Sequence, residues 1–141
     1  MSNSVFVARD DTFDITIYYS KEGKFEVLSE DEVESGEKKK EDYLTLTVTF
    51  RVPDYQTSRM VMRESVTYDN APGGTINYSL FNIAVFTYMA KGWDAKDENG
   101  EEIPFDFEKL NQLRPDIALK FIELLVTYLR ENGLYDSLVL S

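Results

Sequence analysis

Asp97, Asn99 and Gly100 stand where the middle of a calcium loop of the form D-x-[DN]-x-[DN]-G would put them, with Asp106 at the twelfth position. Such a loop works because oxygen ligands recur at alternate residues around a glycine bend. Here the first ligand position is Ala95, the apolar position after the glycine is Glu102, and the last position carries an aspartate where a bidentate glutamate is needed. Without the first carboxylate a primary ligand is missing, so the segment reads as an Asn-Gly turn between Asp94 and Ile103 and not as a metal site. Glu101 and Glu102 pair two carboxylates, but acid–base catalysis needs pKa values raised or split in a cleft, which adjacent glutamates in a polar turn lack.

Other catalytic chemistries fall with the composition. The chain has no histidine and no cysteine, which removes Ser-His-Asp and Cys-His nucleophiles, zinc sites and disulfides together. Asn70-Ala71-Pro72-Gly73-Gly74 is rich in glycine, yet no GKS or GKT follows and neither flank supplies a lysine, so it reads as a turn and not a phosphate loop. Tyr18, Tyr19, Tyr43, Tyr55, Tyr68 and Tyr78 could stack a ligand, but tyrosines alternating with apolar residues usually pack along a sheet or helix. The expectation is a protein that is not an enzyme and carries no cofactor.

Charge narrows the partners. With 26 Asp and Glu against 15 Lys and Arg the formal charge is −11, a field that repels phosphate backbones and anionic lipid surfaces. The basic cluster Lys38-Lys39-Lys40 is outweighed by Glu30, Asp31, Glu32, Glu34, Glu37, Glu41 and Asp42 around it. Neither nucleic acid nor a membrane is expected as a partner. No charged-then-apolar leader and no apolar run near the ~20 residues of a membrane span is present, which predicts a cytosolic protein.

The elements that must carry these residues follow from periodicity. At 141 residues with 43% hydrophobic side chains, the chain has the size of one domain, 1–141, with one core. Phe13, Ile15, Ile17 and Tyr19 alternate with polar positions and predict a strand over 13–19; Ser20-Lys21-Glu22-Gly23 turns the chain into a second strand over 24–28. Residues 29–42 hold almost no apolar side chain beyond Val33 and read as a mobile acidic loop. Leu44, Leu46, Val48, Phe50 and Val52 alternate with threonines and Arg51, predicting a third strand over 43–52 that Pro53 ends.

Helices are expected to fill 55–133. Asp54 is placed to cap a helix from Tyr55; Met60, Val61, Arg63, Glu64 and Val66 fit helix or strand, with helix preferred. Ile76, Leu80, Ile83 and Phe86 fall at helical spacing after a cap at Thr75, with Lys91-Gly92 as the stop. A last helix runs from Pro115 to Asn132 and stops at Gly133. Its two apolar stripes exceed what one buried face requires, so Phe121, Ile122, Leu125, Val126 and Leu129 are the candidate partner-binding residues. The apolar tail 134–141 is expected to cover that stripe or extend the contact. Gly92, Trp93, Gly100, Ile103 and Pro104 are expected to form a structural joint, in which Trp93 pins the turn between two helices and sets their angle. The fold class is thus α+β: a small, mostly antiparallel sheet of three strands in the N-terminal half, followed by two or three packed helices.

Gly92-Trp93-Asp94, Asp97-Glu98-Asn99-Gly100, Ile103-Pro104-Phe105-Asp106, Leu110, Leu113 and a closing amphipathic helix resemble the tail assembly chaperones of long-tailed bacteriophages. The likeness spans roughly 44–132 and includes the threonine-rich strand and its Val52-Pro53-Asp54 exit. The resemblance implies a small acidic protein of the infected host's cytoplasm. Such a chaperone holds the long, helix-rich tape-measure protein soluble while tail-tube subunits polymerise around it, then departs. The hairpin of 13–28 and the acidic segment after it exceed what the resemblance requires, which keeps a structural virion protein of the tail or head–tail connector as the alternative. No ATP motif is present, so holding would be passive. The expected partners are proteins, tape-measure and tail-tube subunits first, with self-association also open.

Overall fold

Strand β1 (Thr12–Ser20) and strand β3 (Tyr43–Arg51) pair antiparallel along their whole length, so that Ile15 faces Val48, Ile17 faces Leu46 and Phe13 faces Phe50. The period of two puts these apolar pairs on one face. On the other face Thr16 and Thr47 hydroxyls bond each other at 2.7 Å, and Thr49 donates to Asp14 at 2.6 Å. The computed structural model describes residues 5–36, 38–68 and 73–139. Among these the protein is α+β. A four-stranded antiparallel sheet runs in the order β2 (Val27–Ser29), β1, β3, β6 (Ala90–Trp93), and a two-stranded hairpin stands apart from it.

Strand β2 is shorter than the expected 24–28 and shifted. The reason is local: the Ser20 amide still donates to the Glu26 carbonyl at 3.1 Å, but the returning bond runs from the Glu26 amide to the Ser20 hydroxyl at 2.8 Å, so a side chain replaces one half of the backbone pair at the hairpin mouth. Strand β6 is a fourth strand beyond the three expected. It pairs on the free edge of β3, although Lys91-Gly92 reads locally as a helix stop. Four residues are too few to show alternation; the open edge of β3 makes them a strand.

Residues 29–42 are not simply a loop. Ser29 and Glu32 form a reciprocal capping box that starts helix α1 (Glu30–Ser35), and Val33 is buried. The Glu32 carboxylate meets the Lys120 ammonium at 2.5 Å. Composition shows one apolar side chain here but not that it docks with help from an ion pair. A short 3-10 turn, Lys40–Asp42, leads into β3.

Asp54 caps helix α2 (Tyr55–Ser65) as expected, accepting the Thr57 amide at 2.9 Å. Val66 leaves the helix for β4 (Val66–Thr67), which pairs with β5 (Thr75–Ile76). Thr75 and Ile76 are therefore strand residues, and Asn77 takes the cap of helix α3 (Tyr78–Met89) by accepting the Leu80 amide. Of the expected turn over 70–74, Asn70, Ala71 and Pro72 lie outside the described residues. Gly74 lies within them at φ +82°, where a Cβ would run into Val66 Cγ1.

After a short helix α4 (Phe107–Leu110), α5 (Pro115–Glu131) lies across β1 and β2 and packs on α3. Aromatic rings join the layers: Phe13 stacks on Tyr128 at 4.0 Å, and Phe86 lies between Phe50 at 5.9 Å and Phe121 at 6.3 Å. Phe50, Phe81 and Phe121 are fully buried, each stabilising the fold by about 1.5–3 kcal/mol relative to exposure. The tail forms helix α6 (Tyr135–Leu138), whose Tyr135 and Leu138 are buried against the core, with Tyr135 donating to Asn82 at 2.8 Å. Among the described residues no helix is long and apolar enough to cross a membrane.

A candidate protein-docking groove

The expected binding stripe of α5 is core. Phe121, Leu125 and Leu129 are 0% exposed and Val126 7%, while Ile122 is half-buried against the same cluster. The sheet's apolar face explains this: four strands present more apolar surface than α3 alone can cover, and α5 is the longest apolar helix available. Both of its stripes are consumed within the fold. Phe121, Leu125, Val126 and Leu129 are therefore closed off while the domain is folded, and Ile122 keeps only part of its surface open.

The joint residues do come together, but on a strand and its turn and not between two helices. Gly92 and Trp93 pair with Thr49 and Val48. Asp94 continues the ladder with both its backbone and its side chain, donating its amide to the Thr47 carbonyl at 3.1 Å and accepting the Thr47 amide on Oδ1 at 2.8 Å. The chain then doubles back, with Ile103 donating to Ala95 at 2.9 Å and Asp97 to Glu101 at 2.9 Å. Gly100 supplies φ +78° at the bend. Trp93 Nε1 donates to the Ile103 carbonyl at 2.7 Å, and its ring meets Phe105 edge-on at 5.2 Å. Pro104 is exposed just beyond.

Asp97, the strongest remaining calcium candidate, is occupied as a turn cap: its Oδ1 accepts the amides of Asn99 and Glu101 at 2.8 and 3.0 Å. Among the described residues no group of acidic side chains is arranged to hold a metal ion.

The joint instead forms a wall. At the N-terminal end of β3 the sheet's apolar face runs past the start of α5 and stays open as a groove of about 590 Å³, within the ~300–1,000 Å³ typical of binding clefts. Its floor is Tyr19, Phe25, Leu44, Leu46 and Ile117, and Leu44 is 46% exposed although it points to the core side. Asp94, Asp97 and Glu98 edge it on the turn side, with Lys96 beside them. Arg114 lies over the Phe25 ring at 3.6 Å and pairs with Asp116 at 3.2 Å, and the rim, with Asp94, Asp97 and Glu98 against Lys96 and Arg114, is acidic. Burial, and then the Asp94 carboxylate, push the Tyr19 phenol above its ordinary pKa. A second apolar surface lies on the outside of α3, where Tyr78, Leu80 and Ile83 are exposed.

Periodicity shows that Leu44 faces the core, but not that α5 begins too late to cover it. No family model, no curated protein and no solved structure matches the chain.

Proposed function

We propose that this protein is a passive protein-binding assembly factor that works as a phage tail assembly chaperone does, holding a tape-measure protein in the host cytoplasm until tail-tube subunits displace it. The observation that carries this reading is the groove: an open apolar floor around Leu44 and Phe25 edged by Asp94, Asp97 and Glu98. Such a surface suits an amphipathic helix whose apolar side chains enter the groove while its basic flank meets the rim. The sequence resemblance supports the identity of the client. A net charge of −11 supports the holding role, since it keeps a loaded complex soluble and opposes crowding of copies on one client.

Co-expression with the tape-measure protein tests the reading. Leu44→Asp is expected to abolish co-purification while leaving the circular dichroism melt nearly unchanged, because Leu44 is already half exposed. Retention of the client by that variant would sink the groove as the site. Mass spectrometry of purified particles separates the alternative: a chaperone is absent, whereas many copies per particle would make the protein a structural component of the tail or connector.

A further inference from the structure

At the other end of β3 lies a second groove, of about 640 Å³, lined by Val7, Arg9, Arg51, Asp54, Lys91 and Phe107 among others. Its charge is opposite to that of the molecule. Three cations face a single carboxylate in a chain with an excess of acids, and that carboxylate is committed: Asp54 accepts from the Thr57 amide and hydroxyl on Oδ1 and from Arg51 on Oδ2. Two neighbouring carboxylates are also occupied. Asp11 accepts the Ala8 amide, and Glu64 accepts the Tyr88 hydroxyl.

The cations are under-used. Among the described residues neither Arg9 nor Lys91 forms an ion pair. Among the described residues the Lys91 ammonium donates to the Arg9 carbonyl, at 3.3 Å, which holds it beside the N-terminal segment. Arg51 spends one donor on Asp54 at 3.1 Å, while its buried Nε has no acceptor among the described residues. An exposed cation alone means little, but the backbone is built to aim one of these. Thr49 pairs with Gly92 and Phe50 with Ala90, so Lys91 is the extra residue of a β-bulge. Bulges re-aim a side chain out of the regular alternation and recur beside binding sites.

We propose that this groove binds an acidic peptide segment of a partner protein, its carboxylates meeting Arg9, Arg51 and Lys91 and an apolar neighbour packing on Val7 and Phe107. Cations set around a concave wall focus their field into it, and the Arg51 guanidinium has donors beyond the one it gives Asp54. Peptide carboxylates fit better than phosphate because the cations come from three separate segments around a mostly polar groove that also offers Val7 and Phe107 as apolar contacts, and Asp54 already fills the amide end of α2. The site would give the protein two docking ends of opposite charge, one at each end of β3.

Fluorescence anisotropy with a labelled hexapeptide alternating glutamate and leucine tests this, against its lysine counterpart as control. The glutamate peptide is expected to bind at low salt and to weaken as salt rises. The double variant Arg9→Glu, Lys91→Glu should lose affinity by about tenfold or more, the order of effect expected when charges that meet a ligand's charge are reversed. Both side chains are exposed, so the thermal melt should hold. Leu44→Asp should bind the peptide normally, which separates failure here from failure of the first groove. Equal or tighter binding of the lysine peptide, an unaffected double variant, or displacement by inorganic phosphate at matched ionic strength would each overturn the proposal.

Discussion

Trp93 Nε1 donates to the Ile103 carbonyl at 2.7 Å, so the only tryptophan ties the end of β6 to the returning arm of the 94–103 turn. The turn then stands as a fixed wall of the first groove. Trp93→Phe keeps an aromatic ring against Phe105 but leaves a half-buried carbonyl without its donor. The expected loss is about 1–2 kcal/mol in urea denaturation, with client binding weakened more than the melt because the wall loosens first.

Leu125 and Leu44 both sit on core-facing registers, but only one is closed over. Leu125→Ala is expected to destabilise by about 2–5 kcal/mol, and Leu125→Asp to prevent folding, since a carboxylate would be buried with no partner. Leu44→Asp should shift stability by less than about 1 kcal/mol. A pair of denaturant titrations decides it; comparable losses would mean that the groove is closed in solution.

The Glu32–Lys120 pair links α1 to α5 and makes the docking of α1 dependent on pH. The Lys120 ammonium and then the Ser29 amide hold the Glu32 carboxyl below its ordinary 4.5. Burial works to depress Lys120, but Glu32 and Glu123 outweigh it and hold the ammonium above its ordinary 10.5. For Glu32 the folded value is the lower one, so its contribution is present above 4.5 and is lost as pH falls through the folded value. For Lys120 the folded value is the higher one, so its contribution is full below 10.5 and is lost as pH rises through the folded value. Amide exchange of Val33, corrected for intrinsic rates, should therefore be flat between those limits and quicken on acidification. Glu32→Gln should remove the acid limb.

Two glycines at positive φ should respond differently to alanine. Gly100, at φ +78°, has open space where a Cβ would stand, so Gly100→Ala should cost only the backbone term of about 1–2 kcal/mol. At Gly74, φ +82°, the same methyl would strike Val66 Cγ1 and the Tyr68 ring. Val66 is β-branched and has few rotamers in which to retreat, so Gly74→Ala should cost more and should open the β4–β5 hairpin, seen as lost amide protection at Thr67 and Thr75.

Local rules are enough to reveal β1 and β3, the Asp54 cap of α2 and the extent of α5, because alternation, caps and helical spacing are written in neighbouring residues. The same rules explain why Asp97 is a turn residue: the missing first ligand at Ala95 is visible in the chain. They do not reveal β6, α1 or the fate of the α5 stripes. Each depends on a partner distant in sequence: the free edge of β3 for Ala90–Trp93, Lys120 for Glu32, and the sheet face for Phe121, Leu125 and Leu129. Both grooves have the same origin. Leu44 is open because α5 begins beyond it, and Lys91 is turned toward Arg9 by a bulge. Side-chain type and spacing determined which residues seek burial or charge, while only packing decided which of them were left unsatisfied at the surface.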